Sequence, residues 1–373
     1  MLLVASGVAI RSFVRLVRVD PGMSIAGVST ARITALTRYQ DAADLAGYYN
    51  RLLSSVAERP AVKHSGLISV LPLSGGTSDW GFEIEGWVPP SPGVLADEQT
   101  RSIGGEYFHV LGIPLLSGRL FDSRDTVTTE RVAIVSAHVA RKYWGDVNPV
   151  GRRIRFFGND PWTTIVGIVG DIRNHGLDAD FNPIVYVPVT QLPERTMTIV
   201  ARLRPGATGA ATLIADAVRA TDPQQPVFAA RMMEEWVARS VAEPRFNLTL
   251  LILFGVLAVA LAAVGVYGVM AFTVARRTRE LGIRLALGAR PSGLLRLVLG
   301  RSLSMTSIGV AVCLAAGLSA AVTLESMFRG AQVLDPIVLV AVSVLVLGVA
   351  LLASYLPARR AMRIDPVEAL RAE

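Results

Sequence analysis

Only one of the 373 residues is cysteine and four are histidine. Cys313 can form no disulfide within the chain, and a cysteine-free remainder suits the periplasm as well as the cytoplasm. His64, His109, His138 and His175 are scattered, with no HExxH or other paired-ligand spacing, so no metal centre is expected. The sequence lacks a GxxxxGK[ST] loop to cradle a nucleotide phosphate and a GxSxG elbow to present a nucleophile. These absences disfavour an ATPase, a metalloenzyme and a serine hydrolase, and no cofactor is implied.

What the sequence has instead is long apolar runs. Stretches at about 248–274, 303–324 and 336–356 each approach the ~20 residues a helix needs to cross the hydrocarbon of a bilayer. None carries an ionisable residue in its middle, which argues against a proton or ion pathway. Between the first two lie Arg276, Arg277, Arg279, Arg284, Arg290, Arg296 and Arg301 against the single acid Glu280. The next connection holds only Arg329, Glu325 and Asp335, and the tail carries Arg359, Arg360, Arg363 and Arg371. The positive-inside rule places the arginine loop and the tail in the cytoplasm and residues 21–245 outside. The net charge of +7 is therefore a topology signal: residues 21–245 hold near-equal numbers of acids and bases, and no nucleic-acid partner is implied.

Residues Met1 to Ile10 are apolar and then meet Arg11. Ten residues are too few to span, and no signal-peptide cleavage site follows. Residues 1–20 thus read as the remnant of a first transmembrane helix and its exit segment. The natural product is expected either to start upstream, adding at least ~10 apolar residues, or to be a gene remnant.

Between Pro21 and Pro244 the patterning alternates. Leu45, Tyr49, Leu52 and Val56 make one apolar helix face, and helical patterns return at 208–220 and 233–241. Short β-rich runs stand at 67–71, 82–84, 132–135, 163–169, 184–187 and 197–203. The fold class expected is an α+β extracytoplasmic domain (21–245, with a β-rich subdomain at about 75–190) followed by an α-helical membrane domain (246–373) of three transmembrane helices.

Four polar or small-residue features remain. Leu73-Ser74-Gly75-Gly76 imitates an ATPase signature but reads as a tight turn, and Asp171 with His175 reads as solvated loop charge. On the second span, Gly309, Cys313, Gly317 and Ala321 recur every fourth residue, with Ala258 and Ala262 on the first, a pattern that lets helix backbones approach. In the arginine loop, Glu280 precedes Arg284 by four, while Leu281, Ile283, Leu285 and Leu287 give a cytoplasmic helix apolar residues that want a partner. Asp365-Pro366-Val367-Glu368 resembles the capped start of a last helix.

The run VGVYGVMAFTVARRTRELGIRLALGARPSGLLRLVLGRSL resembles FtsX-like, MacB-type ABC transporter permeases. So do ASYLPARRAMRIDPVEALRAE, EYFHVLGIPLLSGRLF, KYWGDVNPVGRRIRF and TIVGIVGDIR, and the LPLSGG turn belongs to the same pattern. The resemblance covers nearly the whole chain and is closest to the C-terminal half of duplicated permeases. It implies a multi-pass inner-membrane subunit with a large periplasmic domain, working with a separate cytosolic ABC ATPase. A second permease half or a homodimer mate, the lipid bilayer and a periplasmic adaptor complete the implied partners. Arg279, Glu280, Leu281, Ile283, Arg284, Leu285 and Leu287 match the family's ATPase-coupling segment. The function implied is efflux or mechanotransmission, the alternative being a membrane-anchored regulator or scaffold of an envelope hydrolase.

Overall fold

A computed structural model describes residues 2–276 apart from 89–90, 92–95, 157–159, 178 and 208–209, then scattered positions between 283 and 312, and residues 336–361. The chain divides into two compact units, Leu16–Glu243 and Met1–Arg15 with Pro244–Glu373.

In the first unit, strands β1 (Val28–Thr34), β2 (Val62–Ile68), β10 (Thr196–Leu203) and β11 (Val227–Met232) line up in the antiparallel order β11-β1-β10-β2. Helices α2 (Ala42–Ala57) and α5 (Ala210–Thr221) cover one face, and α6 (Met233–Ser240) follows β11. Asp41 caps α2 by accepting from the Asp44 amide at 2.7 Å, satisfying a donor the helix leaves orphaned. The predicted face of Leu45, Tyr49, Leu52 and Val56 is buried against Ile33, Leu67 and Ile199 of the strands and Ile214 and Val218 of α5.

The remaining strands are β3 (Asp79–Ile84), β4 (Ala96–Gly105), β5 (Leu115–Gly118), β6 (Arg131–Ser136), β7 (Arg153–Phe156), β8 (Thr163–Val169) and β9 (Ile184–Pro188), with helices α3 (Tyr107–Leu111) and α4 (Ala137–Trp144). Six of them close on themselves in the order β4-β3-β7-β8-β6-β9, because β9 pairs in parallel with β4. Phe82, Val135, Ile154, Phe156, Ile165 and Val185 fill this ring. A third core of Ile68, Leu71, Ile103, Tyr107, Phe108, Tyr186 and Trp236 joins it to the open sheet.

One strand belongs to both parts. Phe82 pairs with Ala96 at the start of β4, Gln99 to Ile103 pair with β9, and Ile103 to Gly105 pair with β2. Arg202 braces a connection by donating to carbonyls. It bonds the Val110, Ala26 and Ser24 oxygens at 2.7, 3.1 and 2.9 Å. The Leu73-Ser74-Gly75-Gly76 segment is a turn, as expected. Its Leu73 is buried in the left-handed region at φ 62°, held by its amide's bond to the Asn174 carbonyl at 2.7 Å.

The described residues of the second unit are helical apart from Leu287, which stands in a turn. Helices α7 (Ala242–Arg276) and α8 (Pro336–Ala361) are both long and apolar enough to span a bilayer. Most of the second expected span, 303–324, lies outside the described residues.

Candidate functional site

In the membrane unit, helix α1 (Leu2–Val17) meets the two long helices through small residues. Ser6 Oγ donates to the Leu251 carbonyl at 2.7 Å, and a Cβ placed on Gly255 would stand 3.0 Å from that Oγ. A Cβ on Gly7 would stand 2.5 Å from Val338 Cγ1, so α1 and α8 touch through glycine. Ala258 and Ala262, the first-span residues suggested by spacing, are half-buried and exposed; the close approach is one turn earlier, at Gly255. At the other end, Arg360 donates to the Tyr267 hydroxyl at 2.9 Å, and the Arg276 guanidinium lies 4.7 Å from the Phe272 ring centre.

Of the expected coupling residues, the structure describes Ile283 and Leu287, with the Leu287 amide bonded to the Ile283 carbonyl at 3.0 Å, one α-helical turn. Their side chains are 43% and 82% exposed, apolar groups with little cover from the described residues. Arg279, Glu280, Leu281, Arg284 and Leu285 lie outside the described residues, as do Cys313, Gly317 and Ala321. Gly309 is described, and a Cβ there would meet none of the described atoms.

The larger unit holds three polar centres. Asp171 is not solvated loop charge: it is nearly buried, accepts from the His138 amide in the first turn of α4 at 2.6 Å and pairs with Arg141 at 2.6 Å. The carboxylate thus caps that helix. Arg101 on β4 is wholly buried and donates to Gln99 Oε1 at 2.7 Å and to the Thr100 and Ser78 carbonyls at 2.9 and 3.1 Å. Desolvation pushes its pKa below the usual guanidinium value, and its Nε has no bond among the described residues. Gln99 ties this cation to Asn174 and His175, so the second member of the Asp171/His175 pair sits on a buried polar network.

The third centre is a cavity of about 650 Å³ lined from α2, the end of β4, α3 and the loops 120–126 and 188–190. No group of three or more His, Cys, Asp or Glu side chains among the described residues is arranged to hold a metal ion. Sequence reasoning missed the cavity because its walls come from four segments separated in sequence.

Two apolar helices of spanning length are joined in sequence to a mixed α and β domain. Family models match on both sides: MacB-like periplasmic core domain over residues 4–217 and FtsX-like permease C-terminal over residues 252–366. The chain belongs to this family of ABC-type transporter permeases. Among its relatives are the macrolide export ATP-binding/permease proteins MacB 2 of Aeromonas hydrophila subsp. hydrophila and MacB of Agrobacterium fabrum. The former is 29% identical over 76% of this chain and 46% of its own length, and the latter 30% identical over 74% and 44%. The chain thus spans less than half the length of these relatives. Among solved structures, the periplasmic region of MacB from Actinobacillus actinomycetemcomitans shares 13% identity over 57% of this chain and 92% of its own, with a TM-score of 0.40.

Proposed function

We propose that this chain is a permease half driven by a separate cytosolic ABC ATPase, passing nucleotide-dependent movement to its outer domain for efflux or mechanotransmission. In this reading residues 21–245 are extracytoplasmic, and 246–373 cross the inner membrane three times, at 248–274, 303–324 and 336–356. The arginine asymmetry carries the orientation, supported by family membership on both sides of residue 246. A second permease half or another copy of the chain completes the complex, and a periplasmic adaptor engages the outer domain.

The coupling helix supplies Arg279, Glu280, Leu281, Ile283, Arg284, Leu285 and Leu287 to the ATPase, and Gly309, Cys313, Gly317 and Ala321 serve helix packing. The exposed Ile283 and Leu287 support that role: an aliphatic pair on a helical turn beside arginines suits a protein groove. Leu281→Asp is expected to weaken ATPase co-purification, since a desolvated carboxylate costs about 1–3 kcal/mol or more. Unchanged co-purification and unchanged ATPase stimulation would remove this role. For orientation, cysteines at Ser78 and Ser292 should be labelled and spared, respectively, by an impermeant thiol reagent on spheroplasts. The opposite labelling overturns the topology.

A further inference from the structure

The cavity of about 650 Å³ has the size of a small-molecule site, and its lining is uneven in chemistry. Leu53, Ile103, Phe108 and Val189 are buried apolar residues that form its floor, and Leu120 packs beside them. Three carboxylates stand in the lining: Asp122, Asp125 and Glu106. Two of these are matched by guanidinium groups. Asp125 takes a two-pronged bond from Arg119 at 2.7 and 2.8 Å, and Asp122 binds Arg124 at 2.7 Å, which holds its carboxyl well below the usual range. Glu106 is different. Its side chain is 55% exposed, its Oε2 meets His64 Nδ1 at 3.0 Å, and an imidazole is a cation only when protonated. The His109 ring stacks on His64 at 5.8 Å, and no ion pair of Glu106 with an arginine or lysine is found among the described residues.

We propose that the cavity is a binding site for a small organic cation with an apolar body: the body lies on Leu53, Ile103, Phe108 and Val189, and the ammonium bonds Glu106. Close packing requires glycine where β4 ends, on the edge of the cavity. A Cβ on Gly104 would stand 2.7 Å from Val189 Cγ1, and one on Gly105, at φ 62°, would stand 2.8 Å from the Ser65 carbonyl. No element of the proposed ATPase coupling enters this inference, so either can fail alone.

The probes are 1-naphthylmethylammonium and its neutral isostere 1-naphthylmethanol, measured by equilibrium dialysis against the full chain in nanodiscs, with empty nanodiscs subtracting partition into lipid. Wild type should prefer the ammonium by about tenfold, or about 1.4 kcal/mol. Glu106→Gln should abolish the preference while keeping the alcohol's affinity. Ser54→Trp, which fills the cavity from an exposed position of α2, should weaken both probes. Equal binding of the ammonium by wild type and Glu106→Gln, unaltered binding by Ser54→Trp, or no uptake above empty nanodiscs would each overturn the proposal. The thermal midpoint of each variant separates lost binding from lost folding.

Discussion

Gly7→Ala tests whether α1 packs on α8 as described. The added Cβ would lie 2.5 Å from Val338 Cγ1, 3.7 Å from Val338 Cβ and 3.8 Å from Val342 Cγ2. Carbon atoms rest at about 3.5–4.0 Å, so the first contact is short by about 1 Å. Val338 cannot swing aside cheaply, because a β-branched side chain in a helix has one strongly preferred χ1. It is also buried, at 8% exposure. The helices must separate or tilt, an overpacking cost of about 1–3 kcal/mol. Val338→Ala alone removes the obstructing methyls and leaves a void, so it too destabilises. Combining the two restores contact, and the double-mutant cycle should show a favourable coupling of about 1–3 kcal/mol. The assay is unfolding of the reconstituted protein by SDS titration in mixed micelles. Gly7→Ala unfolding at the wild-type midpoint, with no coupling to Val338→Ala, would refute the packing and place Gly7 against lipid.

Two further outcomes follow from the larger unit. Asp222 is almost buried and is held below the usual carboxylate pKa chiefly by Arg38, with help from the Gln224 amide and the Tyr39 hydroxyl. The folded state therefore binds fewer protons at this site than the unfolded state, and the stabilisation is complete above the unfolded pKa of about 3.9. It is lost as pH falls through the depressed folded value. Urea unfolding followed from pH 6 downward should show a shallower acid loss for Asp222→Asn than for wild type, and parallel curves would discount the pair. Gly118 and Gly167 face each other across β5 and β8: a Cβ on Gly118, at φ 78°, would stand 2.2 Å from the Val166 carbonyl, and one on Gly167 would stand 2.3 Å from the Arg119 carbonyl. Either alanine should cost about 1–3 kcal/mol and release amide protection in β5, since backbone cannot yield as a side-chain tip can. Unaltered hydrogen exchange at Leu115 to Gly118 would count against this.

Elements with a single buried face were the legible ones. The α2 face reads directly from Leu45, Tyr49, Leu52 and Val56, and β8 occupies the Thr163 to Val169 run expected from its β-branched residues. The strand β4 escaped because ADEQTRSIGG offers no apolar alternation; its Glu98 and Gln99 are buried polar groups bonded to partners far away in sequence. Helix α4 follows β6 without a break, with Ser136 ending the strand and capping the helix, so no glycine or proline marks the boundary. On the first span, spacing offered Ala258 and Ala262, whereas the close approach lies at Gly255. Alanine and glycine are common all round such helices, and among the described glycines Gly255 faces the Ser6 hydroxyl. Asp171 was misread because a capping carboxylate and a solvated one have the same sequence.

The shared strand limits how the larger unit can deform. Sliding β4 by one residue against β9 would turn each of its side chains to the opposite face, exposing Ile103 and moving the buried Arg101 away from the Ser78 carbonyl. The ring and the open sheet therefore cannot shear past each other at modest cost. Their relative freedom is confined to bending where β4 changes partner, at Ile103 to Gly105, and two glycines occupy the end of that segment. The strand that opens the sheet region and the one that precedes α6, β1 and β11, are also hydrogen-bonded neighbours, with Ser29 opposite Met232. A pull on either end of the unit is resisted by the other strand through this ladder. Movement delivered to these ends reaches the ring through the adjoining pairs β1 to β10, β10 to β2 and β2 to β4, a continuous path of backbone bonds. If the proposed complex with an ATPase forms, amides of Thr100 to Ile103 should stay protected from exchange throughout its nucleotide turnover. Their exposure would mean that the ring detaches from the sheet instead of bending with it.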